Sequence, residues 1–106
     1  MNVAAVKGIG EYSETVEKER KLYRRVEPGG KLGRVFLVEN KNTIEVRTDA
    51  ELRNLLTNKY ESVMESRYFG RGGIEIVLAG YQLTDDEMDD LVRLAYNMSS
   101  SLQSEE

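Results

Sequence analysis

A chain of 106 residues without a single cysteine or histidine forms one domain, residues 1–106, around one core, with neither disulfide staples nor a zinc site. Missing histidine and cysteine remove the commonest general base, the commonest metal ligand and the strongest nucleophile, so thiol chemistry, Ser-His-Asp catalysis and the usual haem and zinc sites are excluded. The net charge of −4 hides a gradient: residues 1–34 carry eight Lys or Arg against five Glu, and residues 84–106 carry one Arg against seven acids. Either the two ends neutralise each other in the fold, or they form separate faces for separate partners.

In chain order, residues 1–11 read as an N-terminal arm or a short strand. Ser13 to Val26 reads as a helix, with Tyr12, Val16, Tyr23 and Val26 on one side and Glu17 spaced to pair with Lys21. Pro28-Gly29-Gly30 stops it. Arg34–Glu39 and Thr43–Arg47 are rich in β-formers and form a hairpin through Asn40-Lys41-Asn42. The second strand alternates, with Ile44 and Val46 inward and Glu45 and Arg47 outward, and the first, apolar on both faces, is the more central. Thr48-Asp49-Ala50-Glu51 has the pattern of a capping box and opens a helix that fades between Asn58 and Met64. Ile74–Leu78 is a strand that Arg67-Tyr68-Phe69 joins through Gly70–Gly73. Thr84-Asp85-Asp86-Glu87 is a second capping box, with Leu83 and Met88 as its hydrophobic staple, and helix 84–98 carries Met88, Leu91, Val92, Ala95 and Met98 as one apolar stripe. Residues 100–106 read as a disordered tail. The sum is an α+β two-layer domain: a mostly antiparallel sheet of three to four strands covered by helices.

Chemical motifs are sparse. Gly29-Gly30-Lys31-Leu32 fails as a phosphate loop because Lys31 leads into a strand without a following Ser or Thr, and no glycine cluster has the dinucleotide spacing. The acids of 85–90 lack the alternation of a calcium loop and suit the start of a helix. No cofactor and no metal site are therefore expected. Lys18, Lys21, Arg24, Arg25 and Arg34 are the nucleic-acid candidates, set against interleaved glutamates and an acidic total. Arg67, Tyr68, Phe69 and Arg71 have the composition of a protein-binding hot spot, and Asp86, Asp89 and Asp90 offer an acidic face.

The hairpin Val35–Val38 to Ile44–Val46, the Thr48–Glu51 helix start, the strand Ile74–Leu78 and the closing helix from Leu83-Thr84-Asp85-Asp86-Glu87 to Leu94-Ala95-Tyr96 together resemble the MmcQ/YjbR-like family. The likeness spans Arg34 to Ser99 and extends more loosely to the TfoX N-terminal domain. It implies a small α+β fold, DNA binding of the kind proposed for some members, and no established enzymatic activity. The Asn-Lys and His-Trp type signature that the family commonly carries into the late strand is replaced here by Ser66–Gly73, so no family site residue carries over.

These readings lead to a non-enzymatic, cytoplasmic binding or regulatory protein acting through a protein–protein interface. The alternative is a DNA-binding regulator of MmcQ/YjbR-like type using the basic 18–34 segment. No apolar run exceeds four residues, as in Val35 to Val38, so no membrane partner is expected.

Overall fold

A computed structural model describes residues 8–100 of the protein. Its elements follow in the order β1 (Tyr12–Glu17), β2 (Arg20–Val26), β3 (Leu32–Glu39), β4 (Thr43–Arg47), α1 (Ala50–Lys59), β5 (Val63–Ser66), β6 (Gly70–Val77) and α2 (Asp85–Met98), with a 3-10 turn at Leu78–Gly80 before α2. The six strands form one antiparallel sheet ordered β1-β2-β3-β4-β6-β5. The α+β class stands, but the expected sheet of three to four strands is corrected to six.

Most of the difference lies in Ser13–Val26, which is a hairpin and not a helix. Its first arm is acidic and its second basic, so antiparallel pairing sets opposite charges against each other: Lys21 Nζ lies 3.5 Å from Glu14 and Arg20 Nη2 lies 3.1 Å from Glu17. A helix would instead stack Arg20 on Arg24 and Lys21 on Arg25 one turn apart, like on like. The expected Glu17–Lys21 pair accordingly does not form. The other missed strand, β5, has four residues and only one buried apolar side chain, Val63, so no alternation announces it. Arg67-Tyr68-Phe69, expected as its strand, is the turn between β5 and β6.

Both helices cover the same face of the sheet. Phe36, Leu37, Ile44, Val46, Ile74 and Ile76 are buried there with Met88, Val92, Ala95 and Tyr96 of α2, and the Tyr96 ring meets Phe36 edge-on at 5.1 Å. A register slip between Tyr23 and Arg24 lets the sequence neighbours Phe36 and Leu37 both enter this core, while Val35 and Val38 turn to the opposite face. There they pack with Leu22 under Tyr68 and Phe69. Among the described residues no helix lies over this second face, the open face. At the start of the described chain, Ile9 packs against the main core and the Tyr96 hydroxyl donates to the Glu11 carbonyl at 2.9 Å. The arm-or-strand reading of residues 1–7 and the tail reading of 101–106 fall outside the described residues.

Helix α2 has the expected capping box, with Thr84 Oγ1 accepting from the Glu87 N–H and Glu87 reaching back to the Thr84 N–H. In α1 the cap is Asp49, whose side chain accepts from the Leu52 N–H at 2.7 Å. Thr48 is instead buried, which removes its hydroxyl from the capping position.

Candidate functional site

The open face is built on two buried carboxylates. Glu45 and Glu75 stand directly opposite each other on β4 and β6 and are only 1% and 2% exposed, although Glu45 reads as outward from the alternation of its strand. Like charges so placed repel unless each is separately compensated. Glu45 accepts hydrogen bonds from Ser66 Oγ at 2.6 Å, the Tyr68 N–H at 2.8 Å and Asn40 Nδ2 at 2.8 Å. Glu75 accepts from Arg67 Nε at 3.0 Å and Nη2 at 2.6 Å, and from the Thr43 hydroxyl at 2.7 Å. Burial alone would push the Glu75 carboxyl up; the hydrogen bonds from Arg67 and Thr43 and the Arg67 charge outweigh it and hold the group below its ordinary value. Together the two carboxylates grip the Ser66 hydroxyl, the Tyr68 N–H and the Arg67 side chain, clamping the turn down on the sheet.

That clamp presents two rings. Tyr68 and Phe69 meet edge-to-face at 5.0 Å, the Arg20 guanidinium lies 5.3 Å from the Tyr68 ring, and the Arg47 guanidinium lies 4.9 Å from the Phe69 ring. Arg47 is fixed from below by donating Nε and Nη2 to the Val35 carbonyl. Burial, with the nearby Arg34 charge, pushes its pKa down. Under the turn Gly73 admits no side chain, since a Cβ would stand 2.5 Å from the Val46 carbonyl and 2.7 Å from Phe69 Cβ. The arrangement is an amphipathic platform, aromatic in the middle and cationic at both ends.

Of the protein-binding candidates, Arg67, Tyr68 and Phe69 form this turn. Arg71 follows at the exposed start of β6, where its carbonyl accepts from Arg53 Nη1 at 2.9 Å. Asp86, Asp89 and Asp90 lie on α2, on the other side of the sheet, so no one surface holds both sets. The nucleic-acid candidates also divide. Lys18 sits in the β1–β2 turn, Arg24 lies opposite Val35 on the open face, and Arg34 neighbours Arg47. Lys21 and Arg25 face the helix side instead, Lys21 near the Tyr23 ring and Arg25 4.5 Å from the Tyr96 ring while donating to the Tyr96 carbonyl. Sequence reasoning missed Arg20, Arg47, Glu45 and Glu75 as site residues. A signal for the last two exists: Ile44-Glu45-Val46 and Ile74-Glu75-Ile76 repeat one pattern in two strands of one sheet.

At one end of the open face, the β1–β2 turn, the β3–β4 turn and Arg67 enclose a cleft of about 820 Å³ whose lining includes Lys18, Arg20, Lys41 and Arg67. Among the described residues no group of His, Cys, Asp and Glu could hold a metal ion, and no helix is long and apolar enough to cross a membrane.

No family model and no curated protein matches the chain by sequence. One likeness is structural. The crystal structure of Deinococcus radiodurans protein DR2400, with a DUF419 domain, superposes with a TM-score of 0.76 over 90% of this chain and 72% of that one. The identity is 14%, so the likeness is one of fold. The resemblance drawn from Arg34–Ser99 is thus supported at the level of architecture alone.

Proposed function

We propose that this protein is a non-enzymatic binding domain that takes a protein partner on the open face of its sheet, with Arg67, Tyr68 and Phe69 at the centre of the contact and Arg20 and Arg47 flanking it. The observation that carries this reading is the clamped turn: two adjoining aromatic rings, each with a guanidinium close by, held on a rigid sheet. Aromatic and arginine side chains dominate binding hot spots, and a rigid platform loses little entropy when a partner docks. The partner's surface is expected to be acidic and apolar, to match the platform. At the turn, the hydrogen bonds and charge of Arg67 hold the Glu75 carboxyl below its ordinary value, so it is not poised for proton transfer near neutral pH. The absence of cysteine from the sequence suits a cytoplasmic setting.

A second reading, DNA binding of MmcQ/YjbR-like type, is favoured by the division of charge, with Lys18, Arg20, Arg24, Arg34 and Arg47 on or beside the open face and the acidic start of α2 behind it. One experiment separates the two. The wild type and a Tyr68→Ala variant are used to isolate partners from the source extract, and the same proteins are titrated into labelled duplex DNA at low and near-physiological salt. A stoichiometric protein partner held by the wild type and lost by the variant is expected. Tight DNA binding that falls steeply with salt, with no protein partner, would give the second reading first place.

A further inference from the structure

We infer that the cleft between the β1–β2 and β3–β4 turns is an anion site for a phosphate monoester or pyrophosphate group, with Lys18, Lys41 and Arg67 as its principal donors. Three stretches far apart in sequence bring four cations to it against two acids, Glu17 and Glu19; Glu17 is paired with Arg20 at 3.1 Å, which leaves Lys18, Lys41 and Arg67 facing Glu19 alone. Arg67 is pre-oriented in the way phosphate recognition needs. Its Nε and Nη2 are committed to the buried Glu75, its side chain is 73% exposed, and among the described residues Nη1 makes no hydrogen bond, so one edge of the fork points outward as donor.

Lys18 supplies an independent sign. It adopts φ +58° in the two-residue turn between Glu17 and Arg20, a conformation in which glycine is unstrained and lysine is not. No hydrogen bond or ion pair to a described residue offsets that strain, and the side chain lines the cleft. Strain held in an exposed turn points to a role outside the fold itself. Lys41 faces it from the tip of the β3–β4 turn, between Asn40, which is bonded to Glu45, and Asn42. The opening, on the order of 820 Å³, accepts a phosphorylated side chain or a small free phosphate compound.

The site is distinct from the aromatic platform, sharing only Arg20 and Arg67 with it, and its test does not depend on a protein partner. The full chain, isotopically labelled, is titrated at constant ionic strength with pyrophosphate, with a phosphoserine peptide and with the matching serine peptide, followed by amide chemical shifts. Saturable shifts confined to residues 17–20, 40–43 and 67 are expected, with no response to the serine peptide. Lys18→Gly, which relieves the turn, and Lys41→Ala should each weaken binding about threefold to fivefold, the range of an exposed ion pair. Lys59→Ala on α1 should not change it. Tighter binding of the phosphopeptide assigns the phosphate to a modified partner; tighter binding of pyrophosphate assigns it to a free compound. Shifts spread equally over Arg53, Arg71 and Arg93, or affinity unchanged in both cleft variants, would overturn the inference.

Discussion

Glu75 holds the Arg67–Phe69 turn in place, and its charge state can be read from stability. A carboxyl held below its ordinary value contributes stability in full above its unfolded pKa, about 4.3 for glutamate, and loses it as pH falls through the lower folded value. Glu75→Gln should therefore cost about 1–2 kcal/mol near neutral pH, the worth of charge-assisted hydrogen bonds to a largely exposed guanidinium. Urea denaturation of both proteins should find that gap narrowing as pH falls below about 4.3, where the unfolded carboxyl takes up its proton before the folded one does. A gap equal at pH 3 and pH 7 would mean that the ionised pair is not what holds the turn. Lys18→Gly should act in the other direction and stabilise the protein by about 1 kcal/mol, since the strain of positive φ that it removes exceeds the entropy that glycine adds to the unfolded chain. At this scale the sequence was half legible. Arg67, Tyr68 and Phe69 stood out by composition, but their anchors did not, because a glutamate alternating with isoleucine and valine looks solvent-facing unless the opposite face is known to be covered.

Helix α2 and the β3–β4 hairpin were readable from local chemistry, because a capping box and a run of β-formers carry their own signals. Thr84→Ala removes the cap and should lower stability by about 1 kcal/mol in the same assay. Helix α1 is different in kind: none of its side chains is buried, whereas α2 buries Met88, Val92, Ala95 and Tyr96. Its amides should exchange with solvent faster than those of Val92–Met98 by roughly tenfold or more, since local opening costs little where little is packed. The β1–β2 hairpin was illegible as a strand pair for a physical reason. Tyr12 and Val16 satisfy helical spacing, while the pattern that favours the hairpin is acid on one arm facing base on the other, and that appears only once the register is known. Leu22 and Tyr23, adjacent and both buried, belong to a strand covered on both faces, which periodicity alone cannot distinguish from a helix.

For the whole molecule, six antiparallel strands divide it into two unlike sides. Both helices and the acids of α2 lie on one, and the aromatic turn, its arginines and the cleft lie on the other. Of the basic front, Lys18, Arg20 and Arg24 lie with the open face and its cleft, whereas Lys21 and Arg25 stay with the helices. The most direct test of a working open face is paired partner isolation with two sets of substitutions: Arg67→Ala with Tyr68→Ala on the turn, and Asp86→Asn, Asp89→Asn and Asp90→Asn together on α2. The expected result is that the turn variant, still folded by circular dichroism, loses the partner that the helix variant retains. Retention by the turn variant and loss by the helix variant would contradict it and move the binding surface to α2.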